Sequence, residues 1–170
     1  MNIEIRQVET LTDAEKQQLF GWGEDIFGVA SLNLSWRPKD LHFLLYAEGL
    51  LVSHVGGLKN VVNINGESAT VGGVGGVVTI REARKKGFAR QLMQHTIKFF
   101  KREWEVDAGL LFCPQQMVAY YESLGWESVS NTVLIEQPNG QIASPLHVMV
   151  LPFDERSWSA GSIELQSLPW

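Results

Sequence analysis

Cysteine is nearly absent: Cys113 is the only one in 170 residues. An internal disulfide is therefore impossible, and no Cys/His spacing resembles a zinc site, so neither a disulfide scaffold nor a metal is expected. No run of about 18 apolar residues occurs, which argues against a membrane-spanning helix and a membrane partner. The opening Met1-Asn2-Ile3-Glu4-Ile5-Arg6 carries charges where a signal peptide needs an apolar block, which points to a reducing, cytoplasmic setting. Positive charge is also in short supply. Fourteen Lys and Arg face nineteen Asp and Glu, for a formal net charge of −5. Nucleic-acid binding draws most of its affinity from phosphate neutralisation, so that class is disfavoured. Two familiar phosphate motifs are missing as well. No G-x-G-x-x-G follows the first strand and no G-x-x-x-x-G-K-[ST] appears, which disfavours a Rossmann domain and a P-loop.

What is present fits one domain over residues 1–170, with 45% apolar residues and no repeat or linker to divide it. Alternating Ile3, Ile5 and Val8 predict a first strand. Thr12-Asp13-Ala14-Glu15 reads as a capping box. The helix it opens is expected to bury Leu19, Phe20, Ile26 and Phe27 and to stop at Gly28. Strands are predicted over 41–47, 50–63 and 67–80, with Asn65-Gly66 as a hairpin turn. A helix is predicted over 84–104, a buried strand over 108–113 and a short helix over 115–124. A last hairpin is expected to pair 126–137 with 146–153. Residues 154–170 read as an irregular tail packing back near an acceptor site through Trp158 and Trp170. The order is β, α, β, β, β, α, β, α, β, β. That is an α+β fold: one mixed, mostly antiparallel sheet with helices on both faces. The unit from 67 to 113 should be a parallel crossover.

Eight of the basic residues (Arg81, Arg84, Lys85, Lys86, Arg90, Lys98, Lys101 and Arg102) fall in one stretch. They follow the glycine-rich segment Val71-Gly72-Gly73-Val74-Gly75-Gly76-Val77-Val78-Thr79-Ile80. A strand running through a basic turn into a helix aims free amides, and the positive end of the helix dipole, at one spot. The product is a pyrophosphate cradle. Glycine inside a strand marks a bulge, a close approach by another group or a small residue beneath a helix, and the approach of a ligand is the expectation at Gly72, Gly73, Gly75 and Gly76 because the same strand feeds the basic turn.

Arg84-Lys85-Lys86-Gly87-Phe88-Ala89 resembles the R/Q-x-x-G-x-G/A signature of the GNAT N-acetyltransferases. Tyr121-Glu122-Ser123-Leu124-Gly125-Trp126 resembles their Y-x-x-x-G-F/W segment, about 35 residues on. The strand order agrees over nearly the whole chain. The resemblance implies acetyl-CoA as co-substrate. Arg84, Lys85, Lys86, Gly87, Phe88 and Ala89 would hold its pyrophosphate and Val77, Val78 and Thr79 its pantetheine arm. It implies an N-acetyltransferase that moves acetyl to a primary amine of a small molecule by direct attack in a ternary complex. Two other readings stay open: a protein or peptide N-acetyltransferase, and a non-catalytic acyl-CoA-binding domain. A narrower resemblance, through residues 42–55 and 148–153 and the closing tryptophan, is to the aminoglycoside 2′-N-acetyltransferases, in which acidic groups and a terminal tryptophan hold the aminoglycoside. Here Gly75 stands where that branch has an acid.

Tyr121 is the candidate general acid, since a phenol is protonated at neutral pH. His54 is a candidate for accepting the amine proton through water. Trp36, His54 and Trp170 are the candidate acceptor contacts, within a pocket bounded also by Trp22, Glu24, Asp25 and Tyr46. The Trp170 carboxylate is a further candidate anchor or base. Cys113 lacks a nearby His or acid and reads as a core residue rather than an acyl carrier. Residues 126–153 leave room for a homodimer.

Overall fold

The computed structural model describes residues 1–154 and 161–170. Among the described residues, ten strands and three α-helices follow one another as β1 (Ile3–Val8), α1 (Asp13–Phe20), β2 (Leu41–Ala47), β3 (Leu50–Ile64), β4 (Glu67–Thr79), α2 (Phe88–Phe99), β5 (Ala108–Cys113), α3 (Val118–Ser123), β6 (Glu127–Ser128), β7 (Val133–Gln137), β8 (Gly140–Ala143), β9 (His147–Pro152) and β10 (Ile163–Glu164). One mixed sheet runs β6-β9-β5-β4-β3-β10-β7-β8, with β2 also on β3 and β1 on β2. Most pairs are antiparallel. β4 and β5 are parallel and joined through α2, as the sequence predicts.

The hairpin between β3 and β4 turns at Asn65 and Gly66, both at positive φ (51° and 86°). This is the primed-turn geometry that matches strand twist. The capping box also forms: the Glu15 amide donates to Thr12 Oγ1 and the Thr12 amide to Glu15 Oε1.

Four elements differ from the sequence expectation. α1 stops at Phe20, eight residues before Gly28, because Gly21 and Gly23 follow at once and glycine is costly in a helix. Phe27, expected inside, is exposed. The helix predicted over 84–104 is three pieces: a 3₁₀ turn Arg81–Ala83, α2, and a π turn Phe100–Trp104. The last hairpin pairs β7 with β8, while β9 lies between β5 and β6. Val148, Met149 and Val150 of β9 are buried, a pattern that suits a place beside β5 inside the sheet. The tail contributes β10, which fits between β3 and β7. Trp158 lies outside the described residues.

The sheet's two faces fill differently. On one, α2 and the π turn bring Leu92, Ile97 and Phe100 against Phe43, Val55, Val74 and Leu111. A Cβ on Gly72 would overlap the Phe100 ring, and one on Gly57 would lie 3.0 Å from it. On the other face Leu58, Val71, Leu110, Ile135, Leu165 and Trp170 pack together. There a Cβ on Gly73 would overlap the Trp170 indole. These strand glycines are hollows for aromatic rings of the protein itself.

Candidate active site

The site begins where β4 leaves β5. The two strands pair from Val71 to Val74 against Ala108 to Leu111 and no further. β4 continues to Thr79 on β3, and β5 continues to Cys113 on β9, so the gap between them opens. A bulge lies at the parting: β3 and β4 slip by one residue between His54 and Gly56, where Gly76 takes φ +59°. Beyond it, the β4 edge facing β5 has no ladder partner, an unpaired row that an extended ligand can complete.

The bulge is pinned from below. His54 is buried on β3 and its Nδ1 lies 2.6 Å from the Gly76 carbonyl oxygen. A carbonyl only accepts, so Nδ1 carries the proton and Nε2 is left as an acceptor. His42 Nδ1, 2.8 Å from that Nε2, must then be the donor. Burial lowers the His54 pKa to about 3, so the ring is neutral throughout the physiological range. It does not line the cleft, and its ring nitrogens are already committed. The reading of His54 as an acceptor contact or proton acceptor is thus replaced: it supports the strand from within the core.

At the far end of β4 the chain makes the phosphate turn. Lys85 and Gly87 take φ +63° and +79°, and Gly87 caps α2 with no side-chain hydrogen bond. The first intrahelical bond runs from the Gln91 amide to the Gly87 carbonyl. The amides of Phe88, Ala89 and Arg90 are therefore the orphan donors of the helix start. A Cβ on Gly87 would touch no protein atom within 4 Å, so the backbone angle is what calls for glycine. Arg84, Lys85 and Arg90 stand around these amides at the cleft. Arg84 stacks over Trp22, 5.2 Å from its ring centre, and Arg81 lies over the same ring at 4.7 Å. Trp22 thus braces the turn rather than walling an acceptor pocket.

A single cleft of about 930 Å³ joins the turn, the β4–β5 gap and the bulge. Val77, Val78, Thr79, Arg84, Lys85, Gly87, Phe88 and Ala89 all line it, together with Tyr121, Trp36 and Trp170. Lys86 does not. Ile26, Phe27 and Val29 close one side. Glu24, Asp25 and Tyr46 face elsewhere: Asp25 Oδ1 accepts from the amides of Val29 and Ala30, and Tyr46 lies against Arg6. Among the described residues, no Asp, Glu or His lines the cleft. Glu24 and Asp25, expected to bound the acceptor pocket, therefore do not wall this cleft. Trp170 is held edge-on to Phe112, with its Nε1–H donating 3.1 Å to the Leu110 carbonyl, and its own carbonyl carbon lies 2.9 Å from where a Gly75 Cβ would stand.

Tyr121 reaches the cleft from α3. Gly125 (φ +95°) ends that helix and turns the chain back, so that the Trp126 amide donates to the Tyr121 carbonyl. The Trp126 ring then fills the hollow at Gly109 and packs edge-on to Tyr121. Burial, with smaller contributions from Tyr120 and Cys113, pushes the Tyr121 pKa well above 10. Its hydroxyl has no hydrogen-bond partner among the described residues. Tyr120 lines the cleft too. Cys113 is buried and its pKa rises to about 11, so it is a thiol and a poor nucleophile.

A helix start with orphan amides and basic rim, an open strand edge and a phenol over the gap suit an acyl-CoA: phosphates on the turn, an amide-bearing arm along β4, a thioester near the bulge. The acetyltransferase (GNAT) domain model matches residues 10–129, and the chain belongs to that family. It is an acyltransferase. No curated protein matches the chain. Solved structures share its fold. The CoA complex of the GNAT family N-acetyltransferase YhbS from Escherichia coli has a TM-score of 0.61 at 16% identity over 96% of this chain and 89% of that one. A GNAT family acetyltransferase from Brucella melitensis, in complex with acetyl-CoA, gives 0.59 at 14% identity over 95% and 94%. Escherichia coli ElaA gives 0.57 at 18% identity over 88% and 99%.

Proposed function

We propose that this acetyltransferase moves the acetyl group of acetyl-CoA to the primary amine of a small molecule by direct attack in a ternary complex. The carrying observation is the continuous cleft, which sets the phosphate turn, the open β4 edge and Tyr121 along one channel and ends against Trp36 and Trp170. Acetyl-CoA supplies an activated acyl carbon. The amine lone pair forms the C–N bond, the C–S bond breaks and its electron pair leaves on sulfur. Tyr121 hands its proton to that sulfur. The proton lost by the amine goes to water and returns to the phenolate, since no Asp, Glu or His side chain among the described residues lines the cleft. Holding both reactants in line supplies much of the rate.

The amine is enclosed rather than laid along a groove, because Trp36 and Trp170 wall that end of the cleft. That favours a small molecule over a protein chain. The test is CoA thiol release across amines and short peptides, by wild type and Tyr121→Phe. Turnover of small amines that falls about 100-fold in the variant, with CoA affinity held, supports the proposal. Turnover of peptides alone sinks the acceptor assignment, and CoA binding without turnover of any amine sinks catalysis.

A further inference from the structure

The gap between β4 and β5 closes at its last paired rungs, Gly73 with Leu110 and Val74 with Leu111. On the face away from α2, Trp170 lies across these rungs. Its indole fills the hollow at Gly73, meets Phe112 edge-on with ring centres 5.5 Å apart, and is tied by its Nε1–H to the Leu110 carbonyl, 3.1 Å away. One step further along β4, a Cβ on Gly75 would lie 2.9 Å from the Trp170 carbonyl carbon and 2.6 Å from Lys39 Cε. The Trp170 backbone and the Lys39 stem thus cover Gly75 from the same side. The two segments are fastened: the Arg37 amide donates to the Pro169 carbonyl at 2.7 Å, and the Asp40 amide to the Gly57 carbonyl at 2.9 Å. On the α2 face, Val74 and Leu111 are buried in the core.

An acyl-CoA laid along the free β4 edge from the phosphate turn brings its thioester to the Gly76 bulge and aims its acyl chain at this closed end. β4 rises about 3.3 Å per residue, so about 7 Å separate Gly76 from the last rung at Val74. Carbons in contact stand about 3.5–4 Å apart, so the closing atoms take up half of that length or more. What remains seats an acetyl or a propionyl group. Strand glycines can open a hollow for a longer chain. Here the hollows at Gly73 and Gly75 are already filled by Trp170 and Lys39. The indole is buried, and it cannot move aside without giving up its bond to Leu110.

We propose that Trp170, with the Lys39 stem beside it, is the stop that limits the acyl chain of the donor, so that this site selects acetyl- or propionyl-CoA over longer acyl-CoAs. The inference rests on the acyl transfer proposed above and names what restricts its donor. Both residues line the cleft. They act by occupying space and take no part in the bond-making steps.

The test compares acetyl-, propionyl-, butyryl- and hexanoyl-CoA with one amine acceptor. In the wild type, kcat/KM should stay within about tenfold from acetyl to propionyl and fall by about 100-fold or more at hexanoyl, the scale set by misfitting methylenes in a tight pocket. Trp170→Leu should raise hexanoyl relative to acetyl transfer by about tenfold or more. Lys39→Ala shortens the stem over Gly75 and keeps the indole. It should raise relative butyryl transfer severalfold, and it serves where the Trp170 variant proves too unstable to assay. Calorimetry with the unreactive thioethers S-ethyl-CoA and S-hexyl-CoA adds a readout independent of turnover: the wild type should bind the ethyl form about tenfold or more tightly, and both variants should narrow that gap. Hexanoyl transfer at the acetyl rate in the wild type, or the same selectivity in the wild type and both variants, overturns the stop and leaves acyl transfer intact. Thioether selectivity that narrows in the variants, without turnover of any acyl-CoA, supports the stop and overturns the transfer. Equal thioether affinities with no turnover overturn both.

Discussion

His54 shows how one buried ring both holds the site and makes the fold sensitive to acid. Its folded pKa, about 3, lies below the ordinary 6.5 because burial penalises the charged form. The unfolded chain takes up that proton first. Stability is therefore intact above about pH 6.5 and falls as the pH drops toward 3, by about 1.4 kcal/mol per unit. His42 and His95 are lowered too, chiefly by burial, and add in the same direction. Urea midpoints should fall between pH 7 and 5, where carboxylates stay ionised, and His54→Gln should flatten that slope while lowering stability at pH 7. Parallel profiles for the two proteins would contradict the assignment. At this scale the sequence was unevenly legible. Tyr121 was singled out because Gly125 and Trp126 follow at a fixed spacing, and those residues do turn the chain and brace the phenol. The packing of Lys39 left no such signal: it sits in an irregular loop and meets Gly56 and Gly75, which the register of β3 and β4 brings together.

The turn proposed to hold the CoA phosphates takes its geometry from two left-handed residues, Lys85 and Gly87. Gly87→Ala adds a methyl that meets nothing, so its cost is conformational, of the order of 1–2 kcal/mol. The chain has an alternative: releasing the turn, which takes the α2 amides off target. The variant should stay folded while its CoA dissociation constant rises about tenfold or more by calorimetry. Unchanged affinity would show that the amides do not hold the phosphates. The turn was readable because its chemistry is local. The β3–β4 hairpin was readable for the same reason, since Asn65-Gly66 carries its own turn. The last hairpin was not. β7, β8 and β9 are all short, and which pair forms depends on whether the buried Val148–Val150 run finds a place beside β5, a long-range choice. The bulge at Gly76 lay within a segment flagged by its glycines, but four glycines gave four candidates, and two of them, Gly72 and Gly73, prove to be seats for Phe100 and Trp170.

Across the molecule, the two ends of the chain's last segment tie the sheet to the site. β10 bridges β3 and β7, and Trp170 then closes the face opposite α2. Trp170→Ala removes a buried ring and its bond to Leu110, a loss of about 3–5 kcal/mol. Tm should drop by roughly 10 °C, and the same variant should weaken acceptor KM more than CoA binding. A drop within a degree or two would mean that the ring is not a core element. Charge also sorts out at this scale. The basic stretch that stood out in an acidic chain divides along α2. Arg90 lies at the cleft, whereas Lys101 follows eleven residues later, about 16 Å up the helix axis. The stretch lines the cleft at one end and meets solvent at the other, and is not a continuous polyanion track. The fold class and the strand order through β5 were legible because alternation and turn chemistry are local. The site was legible as far as its motifs reach, and its acceptor end was not, because that end is assembled from a loop, a strand bulge and the last residue of the tail.

The central claim is acetyl transfer in this cleft with Tyr121 as the proton donor to sulfur. The most direct measurement is steady-state thiol release from acetyl-CoA with an amine acceptor, for wild type and Tyr121→Phe, alongside CoA affinity for both. The account predicts acceptor-dependent release, a kcat lower by about 100-fold in the variant, and CoA dissociation constants within about twofold. Equal kcat for the two proteins would contradict the role of Tyr121, and release that ignores the acceptor would contradict transfer.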